Sequence, residues 1–159
     1  MIKTNWEYCE YIEAVNKVRK ENIMFDGICT GYLGGVDLIE SVKDIIKRFV
    51  SKDGVVLIDP AMGDNGKLYA GFDMEYVKAT KTLCAMADVI TPNITEACFM
   101  LDMEYKDTYD KDYLLDICQK LHQNGARDVL ITGVKKSDTQ VSVFCLLNGT
   151  EIYEYYTER

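Results

Sequence analysis

The sequence predicts an α/β protein: a three-layer α/β/α arrangement around a mainly parallel sheet that ends in an antiparallel hairpin. Three observations carry this. Short apolar runs of strand length alternate with longer stretches whose apolar residues recur every three or four positions. Nearly every strand-like run ends in a tight polar loop, as strands do at the ligand-binding edge of an open α/β sheet. The last two runs alternate with period two around Asn148-Gly149, which is a hairpin signature.

Trp6, Cys9, Ile12, Val15 and Val18 are spaced by three and predict an amphipathic helix over Trp6 to Lys20. Ile23 to Thr30 reads as a strand that ends in Gly31-Tyr32-Leu33-Gly34-Gly35. Leu38, Ile39, Val42, Ile45, Ile46 and Phe49 place a helix over Val36 to Val50, closed by Lys52-Asp53-Gly54. Val55 to Ile58 is the next strand, followed by a loop from Asp59 to Phe72 and a helix from about Asp73 to Met86. Asp88 to Ile90 is a short strand, after which Pro92 and Asn93 open a helix over Glu96 to Leu101. Asp110 to Asn124 is a further helix with Gly125 as its stop. Asp128 to Gly133 is a strand, and Val141 to Leu147 with Glu151 to Tyr156 form the hairpin.

The 159 residues are 48% hydrophobic, enough for one domain or part of one, since domains commonly run to roughly 100–200 residues. No repeat, low-complexity tract or Gly/Ser-rich linker marks a boundary inside the chain. The balance of 18 Lys and Arg against 26 Asp and Glu gives a net charge of -8, a field that repels nucleic acid phosphates and anionic membranes. A local phosphate site remains compatible with it, because helix N-terminal amides and a residue such as Lys67 suffice. The six cysteines form no C-x-x-C pair and read as reduced core thiols. The single histidine, His122, falls in a predicted helix as a surface residue, so a His-based zinc site or a Ser-His-Asp triad is excluded. No apolar run approaches the ~20 residues that cross a bilayer, and a soluble cytoplasmic protein is expected.

Asp59, Asp64 and Glu96 each lie just past a strand end and converge if those strands are neighbours. Carboxylates gathered in this way suit Mg²⁺ escorting nucleotide phosphates. The competing reading makes Asp59 a loop cap and Glu96 a first-turn helix acid. Lys67 either brings an ammonium to a phosphate or belongs to an ordinary exposed turn. Gly31-Tyr32-Leu33-Gly34-Gly35 lacks the G-x-G-x-x-G and Walker spacings and is a weak phosphate-loop signal. Tyr32 and Tyr69 stand at the same predicted edge and either flank a flat ligand or serve packing.

Three blocks taken together carry a resemblance: Thr30-Gly31-Tyr32-Leu33-Gly34, Asp59-Pro60-Ala61-Met62-Gly63-Asp64-Asn65-Gly66-Lys67-Leu68-Tyr69, and Ile90-Thr91-Pro92-Asn93-Ile94-Thr95-Glu96-Ala97. In order and separation they resemble pyridoxal kinases of the ribokinase-like superfamily, from roughly Phe25 through Gly133. The Met-Gly-Asp and Gly-Lys-Leu-Tyr continuation is closer to these than to the hydroxymethylpyrimidine kinases, which share the Asp-Pro start and the Thr-Pro-Asn element. The resemblance implies transfer of the ATP γ-phosphoryl group to the 5′-hydroxymethyl of pyridoxal, pyridoxine or pyridoxamine. It implies that Tyr32 and Tyr69 line the substrate pocket or its lid. Asp59, Asp64, Thr91 and Glu96 would organise Mg²⁺ and a monovalent cation, and Asn93 and Thr132 would contact the nucleotide phosphates. A homodimer is implied for the full-length form.

Two departures accompany it. The family's catalytic base, an Asp in a Gly-Thr-Gly-Asp element, has no match in the 159 residues, nor do the family's N-terminal strands. The chain therefore looks like the central section of a longer kinase, a single partial domain over residues 1–159. Alone it is expected to be inactive, with exposed apolar surface where sheet neighbours are missing. Gly133 stands where pyridoxal kinases often carry a hydroxyl residue. Two other readings stay open: a kinase for hydroxymethylpyrimidine or another small molecule, and a non-catalytic nucleotide-binding module.

Overall fold

The structure, a computed structural model, describes residue 13 and residues 16–158. The helix expected over Trp6 to Lys20 falls mainly outside these residues, of which 16–20 are helical, and Cys9 also lies outside them. The elements that follow are β1 (Phe25–Thr30), α1 (Val36–Phe49), β2 (Val50–Ile58), β3 (Gly63–Asp64), β4 (Lys67–Leu68), α2 (Met74–Cys84), β5 (Val89–Ile90), α3 (Ile94–Leu101), α4 (Lys111–Gln123), β6 (Asp128–Lys135), β7 (Gln140–Leu147) and β8 (Glu151–Glu158).

The main sheet runs β1-β2-β5-β6-β7-β8, with the first four strands parallel and the last two antiparallel. This is the expected mixed α/β architecture with its C-terminal hairpin. Strand order follows chain order, and β-α-β crossings are right-handed, so the helices between the parallel strands fall on one face. Val56, Ile58, Ile90, Val129 and Ile131 point to that face and are at most 5% exposed. Each buried Ile or Leu of this kind contributes roughly 2 kcal/mol. Among the described residues the helices form one layer. The opposite face carries Val55, 48% exposed, with Leu57, Val89 and Leu130 partly covered and Tyr153 and Tyr155 exposed. The expected apolar surface is thus present.

Helix starts follow their caps. Asp73 accepts hydrogen bonds from Glu75 N at 2.9 Å and Tyr76 N at 3.0 Å, and Asp110 accepts one from Tyr113 N at 2.8 Å. Gly125 ends α4 with φ 121°, and a Cβ there would lie 2.9 Å from the Ala85 carbonyl oxygen, so glycine is required on two counts. Cys84, Cys98, Cys118 and Cys145 are buried free thiols and Cys29 is exposed.

Three sequence expectations shift. Lys52-Asp53-Gly54 is not a turn before the strand but part of β2, at an irregularity where Phe25 pairs with Val50 and Gly27 with Val55. Gly54 permits it, since a Cβ would stand 2.7 Å from the Val50 side chain. The Asp59 to Phe72 loop holds a two-residue hairpin of β3 and β4, turned by Asn65 at φ 49° and Gly66 at φ 73°. His122 is not a free surface residue. Its Nδ1 lies 2.9 Å from the Ala126 carbonyl oxygen and its ring sits where a Cβ on Gly149 would fall.

Candidate functional site

All four parallel strands point their C-terminal ends to one edge, and backbone bonds carry the ladder a residue or two further. Asp59 N donates to Thr30 O at 2.9 Å, Thr91 N to Ile58 O at 3.1 Å, and Thr132 N to Pro92 O at 2.9 Å, while Asn93 bridges Thr132. Asp59, Thr91, Asn93 and Thr132 are therefore set by the sheet itself, in a row along that edge.

Glu96 joins this row to the small hairpin. It lies in the first turn of α3, is 3% exposed, and accepts from Met62 N at 3.1 Å through Oε1 and from Asn93 N at 2.8 Å through Oε2. Asn93 returns the favour in a capping box, accepting from Glu96 N at 3.0 Å, and its Nδ2 donates to Gly63 O at 2.8 Å. Gly63 has no room for a side chain, since a Cβ would stand 2.5 Å from Lys67 O. Thr95 Oγ1 accepts from Gly66 N at 2.9 Å. The start of α3 thus grips the hairpin at Met62, Gly63 and Gly66.

The electrostatics of this edge are acidic. Burial pushes the Glu96 carboxyl up to about 7 from an ordinary 4.5, and the charge on Asp59 adds to the rise, while the amides of Asn93, Met62 and Gly63 oppose it. Asp59 is also raised by burial, and its carboxylate takes no hydrogen bond or ion pair from the described residues. Asp64 bonds only within its own turn, accepting from Asn65 N at 2.8 Å and Asn65 Nδ2 at 2.9 Å. Tyr69 is raised by desolvation and then by the charges of Glu96, Asp64 and Asp59.

Among the described residues no three His, Cys, Asp or Glu side chains stand close enough to enclose a metal ion. Mg²⁺ needs no such cage, since it takes one or two carboxylates with phosphate oxygens and water. The uncompensated Asp59 carboxylate and the exposed Asp64 fit that demand. Glu96 spends both oxygens on the backbone amides of Met62 and Asn93.

Tyr32 and Tyr69 stand exposed at the same rim, 61% and 42%, and the turn that starts at Tyr69 connects them. Phe72 N donates to Tyr69 O at 3.1 Å, and the Phe72 ring lies 5.2 Å from that of Tyr32 and 3.8 Å from that of Tyr76, on which it stacks. Phe72 carried no motif in the sequence. Nor did Tyr105 and Tyr109, which line a polar recess together with Asp64, Asn93, Thr132 and Gly133. Lys67 lies exposed on β4, paired through its backbone with Asp64, and its ammonium makes no hydrogen bond or ion pair among the described residues. Gly133 adopts φ 65°, which disfavours the hydroxyl side chain expected there.

Known proteins resemble this chain in sequence and fold. A Bacillus subtilis pyridoxine kinase is 35% identical over 133 residues, which is 81% of this chain and 46% of that enzyme. A Bacteroides thetaiotaomicron protein assigned as a phosphomethylpyrimidine kinase, in a crystal form with pyridoxal, superposes with a TM-score of 0.85 at 37% identity, covering 91% of this chain and 51% of its own. An ADP complex of Bacillus subtilis pyridoxal kinase gives a TM-score of 0.70 at 28% identity, over 87% of this chain and 50% of that one. The chain spans about half the length of each of these three proteins. The model of the phosphomethylpyrimidine kinase family matches residues 8–159, nearly the whole chain, and the chain belongs to that family.

Proposed function

We propose that the chain forms the phosphate-handling section of an ATP-dependent kinase acting on the 5′-hydroxymethyl of pyridoxal, pyridoxine or pyridoxamine. The observation that supports this best is the coupling of Glu96 and Asn93 to the Met62-Gly63-Asp64 segment, which joins the two family motifs into one unit. Phosphoryl transfer asks a protein mainly for positioning and for neutralisation of charge. Asn93 and Thr132 would hold the nucleotide phosphates, Asp59 and Asp64 would take Mg²⁺ with its water shell, and Thr91 and Glu96 would fix the loops behind them. Mg²⁺, when bound, supplies the positive charge that these acidic side chains leave uncompensated. Tyr32, Tyr69 and the Phe72 ring between them would form the wall against the pyridine ring. The relatives named for pyridoxine and pyridoxal favour a B6 vitamer over hydroxymethylpyrimidine.

The resemblance assigns the proton acceptor to a Gly-Thr-Gly-Asp element absent from these 159 residues. The 159 residues by themselves are expected to bind MgATP and MgADP without transfer. The test is coupled ADP production with pyridoxal, pyridoxine and hydroxymethylpyrimidine, on this chain and on a version extended through a Gly-Thr-Gly-Asp segment. Turnover by the 159 residues overturns the assignment of the base. Preference of the extended protein for hydroxymethylpyrimidine overturns the substrate.

A further inference from the structure

Asp64 has no anchor of its own beyond Asn65, the next residue of the same turn. Where its carboxylate stands relative to Asn93 and Thr132 is therefore decided by whatever holds the tip of the β3-β4 hairpin. One side of the tip is held by Thr95, whose hydroxyl takes the Gly66 amide proton. On the other side lies the ring of Tyr105: a Cβ built on Gly66 would fall 2.7 Å from its Cδ1, 3.2 Å from Cγ and 3.3 Å from Cε1. The Cδ1 side of the ring packs against the glycine, and any other residue at 66 would push it away.

The backbone that carries Tyr105 is tied at several points. It belongs to the segment from Asp102 to Asp110 between α3 and α4, which is tied down along its length. Met103 N donates to Cys98 O at 2.9 Å, the Tyr113 hydroxyl donates to Glu104 O at 3.0 Å, and the Tyr109 hydroxyl accepts from Lys135 N at 2.8 Å. The segment thus spans from the hairpin tip to β6, and the recess with Asn93 and Thr132 lies beneath it.

We propose that Tyr105 is a positioning residue: by clamping Gly66 against Thr95 it fixes the Asp64 carboxylate where a divalent cation on the nucleotide phosphates needs it. This rests on the kinase reading given above. Tyr105 lies at the rim of that recess, but its contact is with the turn, and the clamp acts on the cation through Asp64. Its loss should therefore weaken the magnesium-dependent part of nucleotide binding and leave the magnesium-free part alone.

The test is calorimetric titration of the 159-residue chain with ADP, with and without Mg²⁺, on the wild type, Tyr105→Ala and Tyr105→Phe. Partners that orient a metal-binding group typically account for 10–100-fold in metal affinity, so Tyr105→Ala should lose about tenfold in MgADP affinity with ADP alone unchanged. Tyr105→Phe keeps the ring on Gly66 and should bind as the wild type does. Equal losses with and without Mg²⁺, or no loss in Tyr105→Ala, overturn the proposal. A double-mutant cycle adds a second reading: Gly66→Ala should cost clearly less MgADP affinity in the Tyr105→Ala background than in the wild type, because the ring it displaces is gone. Additive effects count against the clamp. Amide exchange at Gly66 needs no nucleotide and should accelerate in Tyr105→Ala. If the wild type binds no MgADP while this exchange still responds, the kinase reading fails and the clamp survives as a structural contact, with the role given to Asp64 overturned.

Discussion

Glu96, at the edge of the parallel strands, and Glu154, in the antiparallel hairpin, are both largely shielded carboxylates with several hydrogen bonds, yet their partners differ in kind. Glu154 accepts from Ser142 at 2.8 Å and Tyr156 at 2.9 Å and pairs with the Lys136 ammonium at 2.6 Å. Desolvation raises it, but these partners outweigh that and hold it below the ordinary carboxylate range. Glu96 has backbone amides and no cation, stands near Asp59, and is driven the other way. The hairpin neutralises its acid from within the chain. At the sheet edge Glu96 and Asp59 have no cationic partner among the described residues.

The largest effect expected from this contrast is that of Glu96→Ala. It strands the amides of Met62 and Asn93 in a buried place and should cost roughly 2–4 kcal/mol, read from urea unfolding. A loss no larger than that of Glu154→Gln would erase the distinction between the regions. Next comes Gly63→Ala, whose Cβ meets Lys67 O at 2.5 Å and should cost roughly 1–3 kcal/mol while loosening the Asp64 turn. An unchanged unfolding midpoint would show that the hairpin is not gripped as described.

The pH dependence sharpens the contrast, because the two acids act with opposite sign. The folded state holds the Glu96 proton up to about 7 whereas the unfolded chain releases it near 4.5, so this group makes stability fall as pH rises through that window. Glu154 contributes stability that is present above its ordinary value of 4.5 and lost as pH falls through its lowered one. Unfolding free energies measured from pH 4 to 8 should lose the falling limb in Glu96→Gln and keep it in Glu154→Gln. The smallest effect is that of Glu154→Gln at neutral pH, under about 1 kcal/mol, the size typical of ion pairs near the surface. A larger cost would mean that the hairpin network is as consequential as the sheet edge.

Much of this was legible in the sequence because the signals are local. Asp73, Asn93 and Asp110 stand where the helix starts were placed, and each caps its helix with a short side chain that reaches amides two or three residues ahead. The strand ends at Thr30, Ile58 and Ile90 stand out because polar residues interrupt apolar runs, whereas β6 continues past Gly133 to Lys135. The hairpin of β3 and β4 was hidden, since two residues per strand are too few to show alternation, although Asn65-Gly66 is a turn pair. The start of β2 was masked by Lys52-Asp53-Gly54, which reads as punctuation but is absorbed by an irregularity in the pairing with β1. Tyr105 and Phe72 could not be found from pattern at all. Each acts on a residue brought to it by the fold, Tyr105 on a glycine 39 positions earlier and Phe72 on Tyr32 from the loop after β1.

The order of the main sheet, in which each strand lies beside the one that precedes it in that sheet, bears on how the chain assembles. Every pairing closes a loop no longer than one helical crossing or one turn, except where the β3-β4 hairpin or a second helix is included. Contacts of short sequence separation form fast, so such a sheet can grow strand by strand as the chain emerges from the ribosome, each new strand docking on the edge left by the last. The motif loops then meet in sequence as well: the Asp59 loop is in place before Asn93 arrives to fasten it, and Thr132 completes the row.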